Sequence, residues 1–379
     1  MGRFMNNNYR GRLNEPPETS TQPWLLHEML PGYDVTPLVE AKTAARRIGV
    51  PRLLVKDESL RLGLPSFKIL GASWAIFREL NRRFGIELED MKDLESMKSK
   101  TSRELKVTLI TATDGNHGRA VARSAALFGF DSLVFVPGST VKARIEAIES
   151  EGAGVIVING DYDAAVRAAA AEAGLDGWLI QDTGWPGYET VPGWIIEGYF
   201  TMFKEIEDQL AGRGEGDPAL IAVQIGVGSL AASAARYYRR SPGGGTTVLI
   251  GVEPDCAACA FESVEAGKIV TVPGPHDSVM AGLNCGTVSS VAWPSLKSGI
   301  DVFTTIEDDV SFEAMRILAE DDIVSGESGA AALAGLLSIS GTESGREFLD
   351  GALSRTSGSV LVISTEGITD PEMYSSVVG

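Results

Sequence analysis

The sequence predicts an α/β fold of two open, twisted lobes, and three observations support this. The chain has 379 residues, which is too long for one small core and suggests roughly two or three lobes. Short, nearly continuous apolar runs are typical of parallel strands covered on both faces. Between these runs lie alanine-rich segments with helical spacing of apolar residues, the pattern of strands joined by crossover helices.

The elements follow from this pattern in chain order. The predicted strands cover residues 52–57, 107–113, 132–137, 154–159, 178–182, 220–226, 248–254 and 360–365. The predicted helices cover residues 72–84, 117–128, 141–150, 162–173, 229–239, 311–320 and 328–339. In doubly wound folds, ligands bind at the carboxyl ends of strands, where loops lead into helices. We therefore expect the functional residues to lie in these loops.

Composition and charge narrow the class of partner. Hydrophobic residues make up 44% of the chain, charged residues 22%, and there are 43 glycines, as in a globular enzyme. The formal net charge of -18 repels phosphate backbones and anionic membrane surfaces, which argues against nucleic acid and lipid as partners. A small-molecule substrate fits this composition better.

Cysteine and histidine usage indicates a reducing compartment and no metal site. Three cysteines cannot form a disulfide framework, and the three histidines lie far apart in the sequence. No run reaches the roughly 20 apolar residues of a membrane span, and residues 1–22 are predicted to be a polar, mobile tail. We therefore expect a cytoplasmic protein. The residues concerned are Cys256, Cys259, Cys285, His27, His117 and His276.

Lys68 lies in the apolar stretch "LPSFKILGASWAIF", directly after Ser66 and Phe67. Such a lysine can extend its aliphatic stem over the core and hold its ammonium group in water. In a partly dry site it can instead lose its proton and act as a nucleophile, for example by forming a Schiff base with an aldehyde cofactor. The residue alone does not decide between these roles.

The stretch "TATDGNHGRAVA" (111–122) passes from a predicted strand into a helix through Asp114, Gly115 and Asn116. Aspartate and asparagine satisfy the first amides of a helix, so a capped turn explains the pattern. The same amides also form an anion site suited to a substrate carboxylate. Capping and binding are compatible demands on these residues.

A second strand-to-helix passage, "QIGVGSLAASAA" (224–235), contains a glycine turn. Gly226 and Gly228 let the backbone approach a ligand, and Ser229 opens the helix with its hydroxyl and amide groups, an arrangement suited to phosphate. The turn lacks the third glycine of the dinucleotide fingerprint and the lysine of the P-loop. Neither standard nucleotide site is therefore predicted.

Two later stretches supply polar side chains. "VISTEG" (362–367) places Ser364 and Thr365 at the end of an apolar strand, where a hydroxyl can hydrogen-bond a ring nitrogen. "SGESGAAALAG" (325–335) is a predicted helix entrance, and its Glu327 faces either solvent or the site. A polar strand end and a helix cap are the simple alternatives.

Taken in chain order, these parts resemble the pyridoxal-phosphate enzymes of fold type II, which include the threonine and serine dehydratases. The resemblance implies a cofactor between two lobes: a large domain of residues 23–59 and 186–379 and a small domain of residues 60–185. It implies that Lys68 forms the Schiff base with pyridoxal 5'-phosphate and that a neutral hydroxyl, Thr365 or Ser364, meets the pyridine nitrogen. The implied cofactor-binding residues are Lys68, Phe67, Asn116, Gly226, Val227, Gly228, Ser229, Ser364 and Thr365.

Within that group, residues 30–372 resemble the diaminopropionate ammonia-lyases. The segments that carry this are "LPGYDVTPLVE", "VKDESLRLGLPSFKILGASWA", "TATDGNHGRAVA", "QDTGWPGYETVPGWIIEGY", "MAGLNCG", "SGESGA" and "STEGITD". Asp114 stands where the dehydratases usually have serine, and Asp182 matches a second acid. The resemblance implies that Lys68, Asp114 and Asp182 are catalytic and that the protein is a homodimer. The implied substrate-binding residues are Ser66, Thr113, Asp114, Gly115, His117 and Glu327.

The implied reaction is β-elimination from 2,3-diaminopropionate to pyruvate and two ammonia molecules. One alternative is a dehydratase of serine, threonine or another 3-hydroxy amino acid with the same cofactor. Another is a ligand-binding protein without catalysis, which the intact Lys68, Asn116 and glycine turn argue against. The sequence departs from the lyase pattern after "MAGLNCG", where "TVSSVAW" (287–293) replaces a proline-containing loop.

Overall fold

The chain folds into two compact units in this computed structural model. The structure describes residues 2–9, 22–90, 93–95, 98, 107–113, 115–174, 177–240, 245–354 and 358–379. The larger unit comprises Met1–Thr21, Val35–Leu60 and Met202–Gly379, and the smaller unit comprises Gln22–Asp34 and Arg61–Thr201. The boundaries predicted from the sequence for the large and small domains, between residues 59 and 60 and between residues 185 and 186, stay a prediction.

Strands alternate with helices along most of the described chain. The strands are β1 (Phe4–Asn6), β2 (Leu38–Glu40), β3 (Leu53–Asp57), β4 (Thr108–Ala112), β5 (Asp131–Pro137), β6 (Gly154–Ile158), β7 (Gly177–Leu179), β8 (Leu220–Gln224), β9 (Val248–Pro254), β10 (Val302–Ile306) and β11 (Val360–Ser364). The helices are α1 (Pro23–His27), α2 (Lys42–Ile48), α3 (Lys68–Phe84), α4 (Asn116–Phe128), α5 (Lys142–Glu149), α6 (Tyr162–Glu172), α7 (Thr190–Gly198), α8 (Phe200–Ala211), α9 (Ser229–Tyr238), α10 (Cys259–Ala266), α11 (Trp293–Gly299), α12 (Asp308–Glu320), α13 (Glu327–Ser340), α14 (Glu343–Leu353) and α15 (Pro371–Val378).

The larger unit is built on a seven-stranded sheet in the order β1-β10-β9-β8-β11-β3-β2. The five inner strands run parallel, whereas β1 and β2 pair antiparallel at the two edges. Every residue of β8, β9, β10 and β11 is buried, as expected for parallel strands covered by helices on both faces. Because β8 and β11 are parallel neighbours, Gln224 and Ser364 end their strands at the same edge of the sheet.

The smaller unit is built on a four-stranded, wholly parallel sheet in the order β6-β5-β4-β7. In the register of β4 and β7, Ile110 stands beside Leu179. The loop after β4 and the segment after β7 therefore leave the same sheet edge. This places the start of α4 next to the segment after β7, where His117 Nε2 lies 2.8 Å from the Ile180 carbonyl oxygen.

The predicted α/β class is confirmed, and each predicted strand and helix has a counterpart within a few residues. One helix predicted from residue 72 begins four residues earlier, at Lys68. The short or polar elements, such as β2, β10 and α2, were missed because they carry little periodic apolar signal. Among the described residues, the helices are all too short or too polar to cross a membrane.

Part of the predicted mobile tail is an ordered strand. Residues 4–6 pair with β10, and the Asn7 amide donates hydrogen bonds to the carbonyls of Lys297 and Ile300 at 2.8 Å and 2.7 Å. Phe4 packs edge-on against Phe348 with a centroid distance of 5.6 Å. These tertiary contacts order a segment whose sequence alone shows no periodicity. Residues 10–21 of the predicted tail lie outside the described residues.

Candidate active site

Lys68 is the first residue of α3, at the end of the "PSFK" segment. Phe67 precedes it in a helical conformation, with φ -68° and ψ -14°, and no side chain caps the helix. The Lys68 ammonium donates a hydrogen bond of 2.8 Å to Oδ2 of Asp182, which follows β7. The side chains are 21% and 7% exposed. Lys68 therefore holds its charged end in a polar cluster of the protein, whereas a snorkelling lysine would extend it into bulk water.

We name the polar side chains around the Lys68–Asp182 contact the lysine cluster: Lys68, His117, Tyr162, Gln181 and Asp182. Burial by itself would raise the pKa of Asp182, but the charge of Lys68 and its hydrogen bond to the carboxylate outweigh burial and lower that pKa to about 2. Asp182 is thus an ionised carboxylate at neutral pH.

His117 contributes a buried proton acceptor to the lysine cluster. Its Nε2 lies 2.8 Å from the carbonyl oxygen of Ile180, and a carbonyl only accepts, so Nε2 carries the proton. Burial lowers the pKa of His117, aided by Lys68 and opposed by Asp182. Nδ1 is buried without a hydrogen bond in the described residues and lies 3.9 Å from Asp182 Oδ2. A neutral imidazole nitrogen therefore stands beside the carboxylate.

Gln181 and Tyr162 hold the other side of Asp182. The Gln181 amide oxygen accepts hydrogen bonds from Ala112 N–H and the Thr111 hydroxyl at 2.9 Å and 3.1 Å. Its amide nitrogen donates to Tyr162 Oη at 2.9 Å and to Asp182 Oδ1 at 3.3 Å. Neither residue was predicted from the sequence to have a role. The only available signal was that Gln181 precedes the acid in "QDTGW".

The loop after β4 approaches the start of α4. The Thr113 hydroxyl accepts a hydrogen bond of 2.9 Å from Gly115 N–H, and Asn116 is the first helical residue. Thr113 and Ser66 are buried polar residues. Asp114 lies outside the described residues, so its predicted catalytic role stays a prediction.

The glycine turn of the larger unit joins β8 to α9. Gly228 adopts a left-handed φ of +100°, and a Cβ atom there would lie 2.6 Å from Leu296 Cδ1. Val227 is fixed because its carbonyl accepts a hydrogen bond of 2.9 Å from Ser289 N–H. Ser229 then opens α9 and is buried. The turn and the helix amides form the kind of cradle that binds a phosphate.

The predicted hydroxyls lie at the end of β11 and are both buried. Ser364 Oγ donates a hydrogen bond of 2.8 Å to Ser325 Oγ. Thr365 Oγ1 instead accepts one of 2.7 Å from the side-chain amide of Gln224. Glu327, the first residue of α13, is 3% exposed. Of the two predicted alternatives, a side chain that faces solvent is therefore wrong.

Comparison with known proteins identifies the family. A family model described as pyridoxal-phosphate dependent enzyme matches residues 29–349. The diaminopropionate ammonia-lyase of Escherichia coli K12 is 36% identical over 358 residues, which span 93% of this chain and 89% of that protein. The chain belongs to the diaminopropionate ammonia-lyase family of pyridoxal-phosphate dependent enzymes.

Solved structures of this ammonia-lyase family have the same fold. The E. coli diaminopropionate ammonia-lyase in complex with D-serine aligns with a TM-score of 0.89 at 33% identity, covering 100% of this chain and 97% of that one. The same enzyme with an aminoacrylate-PLP azomethine reaction intermediate aligns with a TM-score of 0.88 at 33% identity and the same coverage. The predicted fold type II architecture and the predicted family are confirmed.

The residues present fit the cofactor of this ammonia-lyase family, pyridoxal 5'-phosphate. Lys68 offers a primary amine, the glycine turn a cradle for a phosphate, and Thr365 a buried hydroxyl. These groups match an aldehyde, a phosphate and a ring nitrogen. Among the described residues, no three histidine, cysteine, aspartate or glutamate side chains converge as a metal site.

Proposed function

We propose that this chain catalyses the β-elimination of 2,3-diaminopropionate to pyruvate and two ammonia molecules, with pyridoxal phosphate as cofactor. The observation that carries the proposal is the Lys68–Asp182 pair, a lysine amine in contact with a buried, ionised acid. The 36% identity to the E. coli diaminopropionate ammonia-lyase over nearly the whole chain supports the substrate.

The cofactor would be held by residues of four sequence motifs. Lys68 Nζ would bond the aldehyde carbon, and the amides of the turn from Gly226 through Val227 and Gly228 to Ser229 would bind the phosphate. Asn116 would contact the ring face and its O3' oxygen, Phe67 would also bind the cofactor, and Thr365 or Ser364 would hydrogen-bond the ring nitrogen. When bound, this cofactor supplies an electron sink for negative charge at the substrate Cα.

The chain's own residues would then move the protons. Lys68, displaced from the aldehyde by the substrate amine, would take the Cα proton. Asp182 or Asp114 would take that proton from the opposite enantiomer, would hold the 3-ammonium group, or would deliver the proton that lets a neutral 3-amino group leave as ammonia. The Cβ–N bond would then break, and ammonia would leave with the electron pair. Water then hydrolyses the released enamine to pyruvate and the second ammonia.

The remaining predicted substrate contacts are Ser66, Thr113, Gly115, His117 and Glu327. Ser66 and Thr113 would offer hydroxyl donors for a carboxylate, and His117 and Glu327 are buried polar side chains. We also propose a cytoplasmic homodimer. No disulfide joins Cys256, Cys259 or Cys285, which suits a reducing compartment. Light scattering of the purified protein tests the dimer.

The deciding experiment measures pyruvate release from D- and L-diaminopropionate, serine and threonine by the holoenzyme, together with its absorption spectrum. We expect diaminopropionate to be strongly preferred, and the cofactor band to be lost in Lys68→Ala. Preference for the hydroxy amino acids would overturn the substrate and favour the dehydratase alternative. Absence of a cofactor band at any loading would overturn the enzyme proposal.

A further inference from the structure

The carboxamide of Gln224, at the end of β8, has a fixed orientation. Its nitrogen lies near four oxygens: Ser328 O at 2.8 Å, Gly329 O at 3.3 Å, Ile363 O at 3.2 Å and Thr365 Oγ1 at 2.7 Å. Three of these are carbonyl oxygens, which only accept, so the nitrogen must be the atom that faces them. The two N–H groups therefore point to the two shortest contacts, Ser328 O and Thr365 Oγ1.

This orientation determines the direction of the Thr365 hydroxyl. A hydroxyl has one proton and two lone pairs, and Gln224 occupies one lone pair. The proton must then point away from the Gln224 nitrogen. Within the described residues, Thr365 makes no second hydrogen bond, and it is 5% exposed. A buried donor of this kind requires an acceptor, because a buried donor without a hydrogen bond destabilises the folded protein.

The neighbouring hydroxyl is arranged differently. Ser364 uses its proton within the protein, because its Oγ donates to Ser325 Oγ at 2.8 Å. Both serines are at most 1% exposed. Ser364 therefore has no proton left to donate to a ligand, although it stands next to Thr365.

We infer that Gln224 is a positioning residue for the cofactor: it fixes the Thr365 hydroxyl as a hydrogen-bond donor to the pyridine nitrogen. The inference rests on the proposed function and extends it to a residue and a direction of donation. A nitrogen that accepts this hydrogen bond keeps its lone pair and stays unprotonated. Gln224 thereby sets the protonation state of the ring without contacting it.

A double-mutant cycle on cofactor binding tests this inference. The apoenzyme is titrated with pyridoxal 5'-phosphate, and the dissociation constant is read from the quenching of protein fluorescence. We expect Thr365→Val to weaken binding about tenfold and Gln224→Met about threefold. In the double variant, binding should be within about twofold of Thr365→Val alone, because Gln224 acts through the hydroxyl. Ser376→Ala, at an exposed position of α15, is the control and should stay within about twofold of the wild type.

Independent effects would overturn the inference. If the two losses multiply in the double variant, or Gln224→Met binds the cofactor as the wild type does, Gln224 does not act through Thr365. The same holds if Ser364→Ala weakens binding more than Thr365→Val. A wild-type apoenzyme that binds no pyridoxal 5'-phosphate would overturn the proposed function and this inference with it.

A second measurement reads the nitrogen itself and does not depend on activity. With ¹⁵N-labelled cofactor, the ring-nitrogen NMR signal should be that of an unprotonated, hydrogen-bonded nitrogen, and Gln224→Met should shift it in the same direction as Thr365→Val. An unchanged signal in Gln224→Met contradicts the inference. If Gln224→Met does not fold, as judged by its thermal unfolding, Gln224→Glu replaces it in both experiments.

Discussion

At the scale of single residues, Lys68 and Asp182 show which part of the site the sequence predicts. Both were predicted from sequence motifs, and the structure brings them to 2.8 Å. Gln181, Tyr162 and Gln224 were not predicted. The side chains of these three residues acquire a role only through tertiary contacts with Asp182 and Thr365. No local pattern in the sequence signals such contacts.

Replacing Asp182 by asparagine removes the charge and keeps the shape. We expect Asp182→Asn to lower kcat/KM for diaminopropionate by roughly 10²–10³, the usual worth of a positioned acid–base group. Because the wild-type pKa is about 2, the wild-type residue is ionised throughout pH 6–9, so the loss should be similar across that range. Steady-state pyruvate release at several pH values measures it.

The exposed Asp350 on α14 provides the control for this prediction. Asp350→Asn makes the same chemical change away from the lysine cluster and should keep kcat/KM within about twofold of the wild type. An Asp182→Asn enzyme with near wild-type kcat/KM would show that this carboxylate takes no part in the reaction.

At the scale of elements, buried parallel strands were the easiest to predict. β8, β9 and β11 are short apolar runs bounded by polar or glycine residues, and each was predicted to within two residues. β10 was missed because two of its five residues, Thr304 and Thr305, break the apolar run, although both are buried. The edge strands β1 and β2 have three residues each, which is too short for a period to be seen.

The glycine turn before α9 should not tolerate a side chain at Gly228. In Gly228→Ala the Cβ would lie 2.6 Å from Leu296 Cδ1 on a backbone with φ +100°, so the turn must shift. We expect cofactor affinity to fall by about tenfold or more, because the phosphate amides move with the turn. Fluorescence titration of the apoenzyme with pyridoxal 5'-phosphate measures this.

Gly351, on α14, is the matched control for the turn. A Cβ there meets nothing within 4 Å, and its φ is not positive. Gly351→Ala should therefore leave cofactor affinity unchanged and should not lower stability, since alanine favours a helix. If the Gly228→Ala titration matches that of Gly351→Ala, the turn does not bind the phosphate.

At the scale of the larger unit, the amino-terminal segment is part of the fold. Asn7 is buried, and its amide pairs with two carbonyls near the end of α11, whereas the next residue, Asn8, is exposed. We expect Asn7→Ala to lower the free energy of unfolding by about 1–3 kcal/mol, because the carbonyls of Lys297 and Ile300 lose their partner. Urea unfolding of the protein measures this change.

Asn8→Ala removes the same amide from a neighbouring, solvated position and should change the free energy of unfolding by less than about 0.5 kcal/mol. Equal unfolding curves for Asn7→Ala and Asn8→Ala would mean that the segment is not anchored as the structure has it.

The short strands β1 and β2 have a consequence for assembly. Both run antiparallel to their neighbours and close the two ends of an otherwise parallel sheet with only three residues each. An open parallel sheet exposes a row of backbone donors and acceptors on which another chain can add a strand. Short terminal strands leave little of that backbone available. The larger unit is thus protected against edge-to-edge association, and a second subunit would have to recognise its side-chain surface.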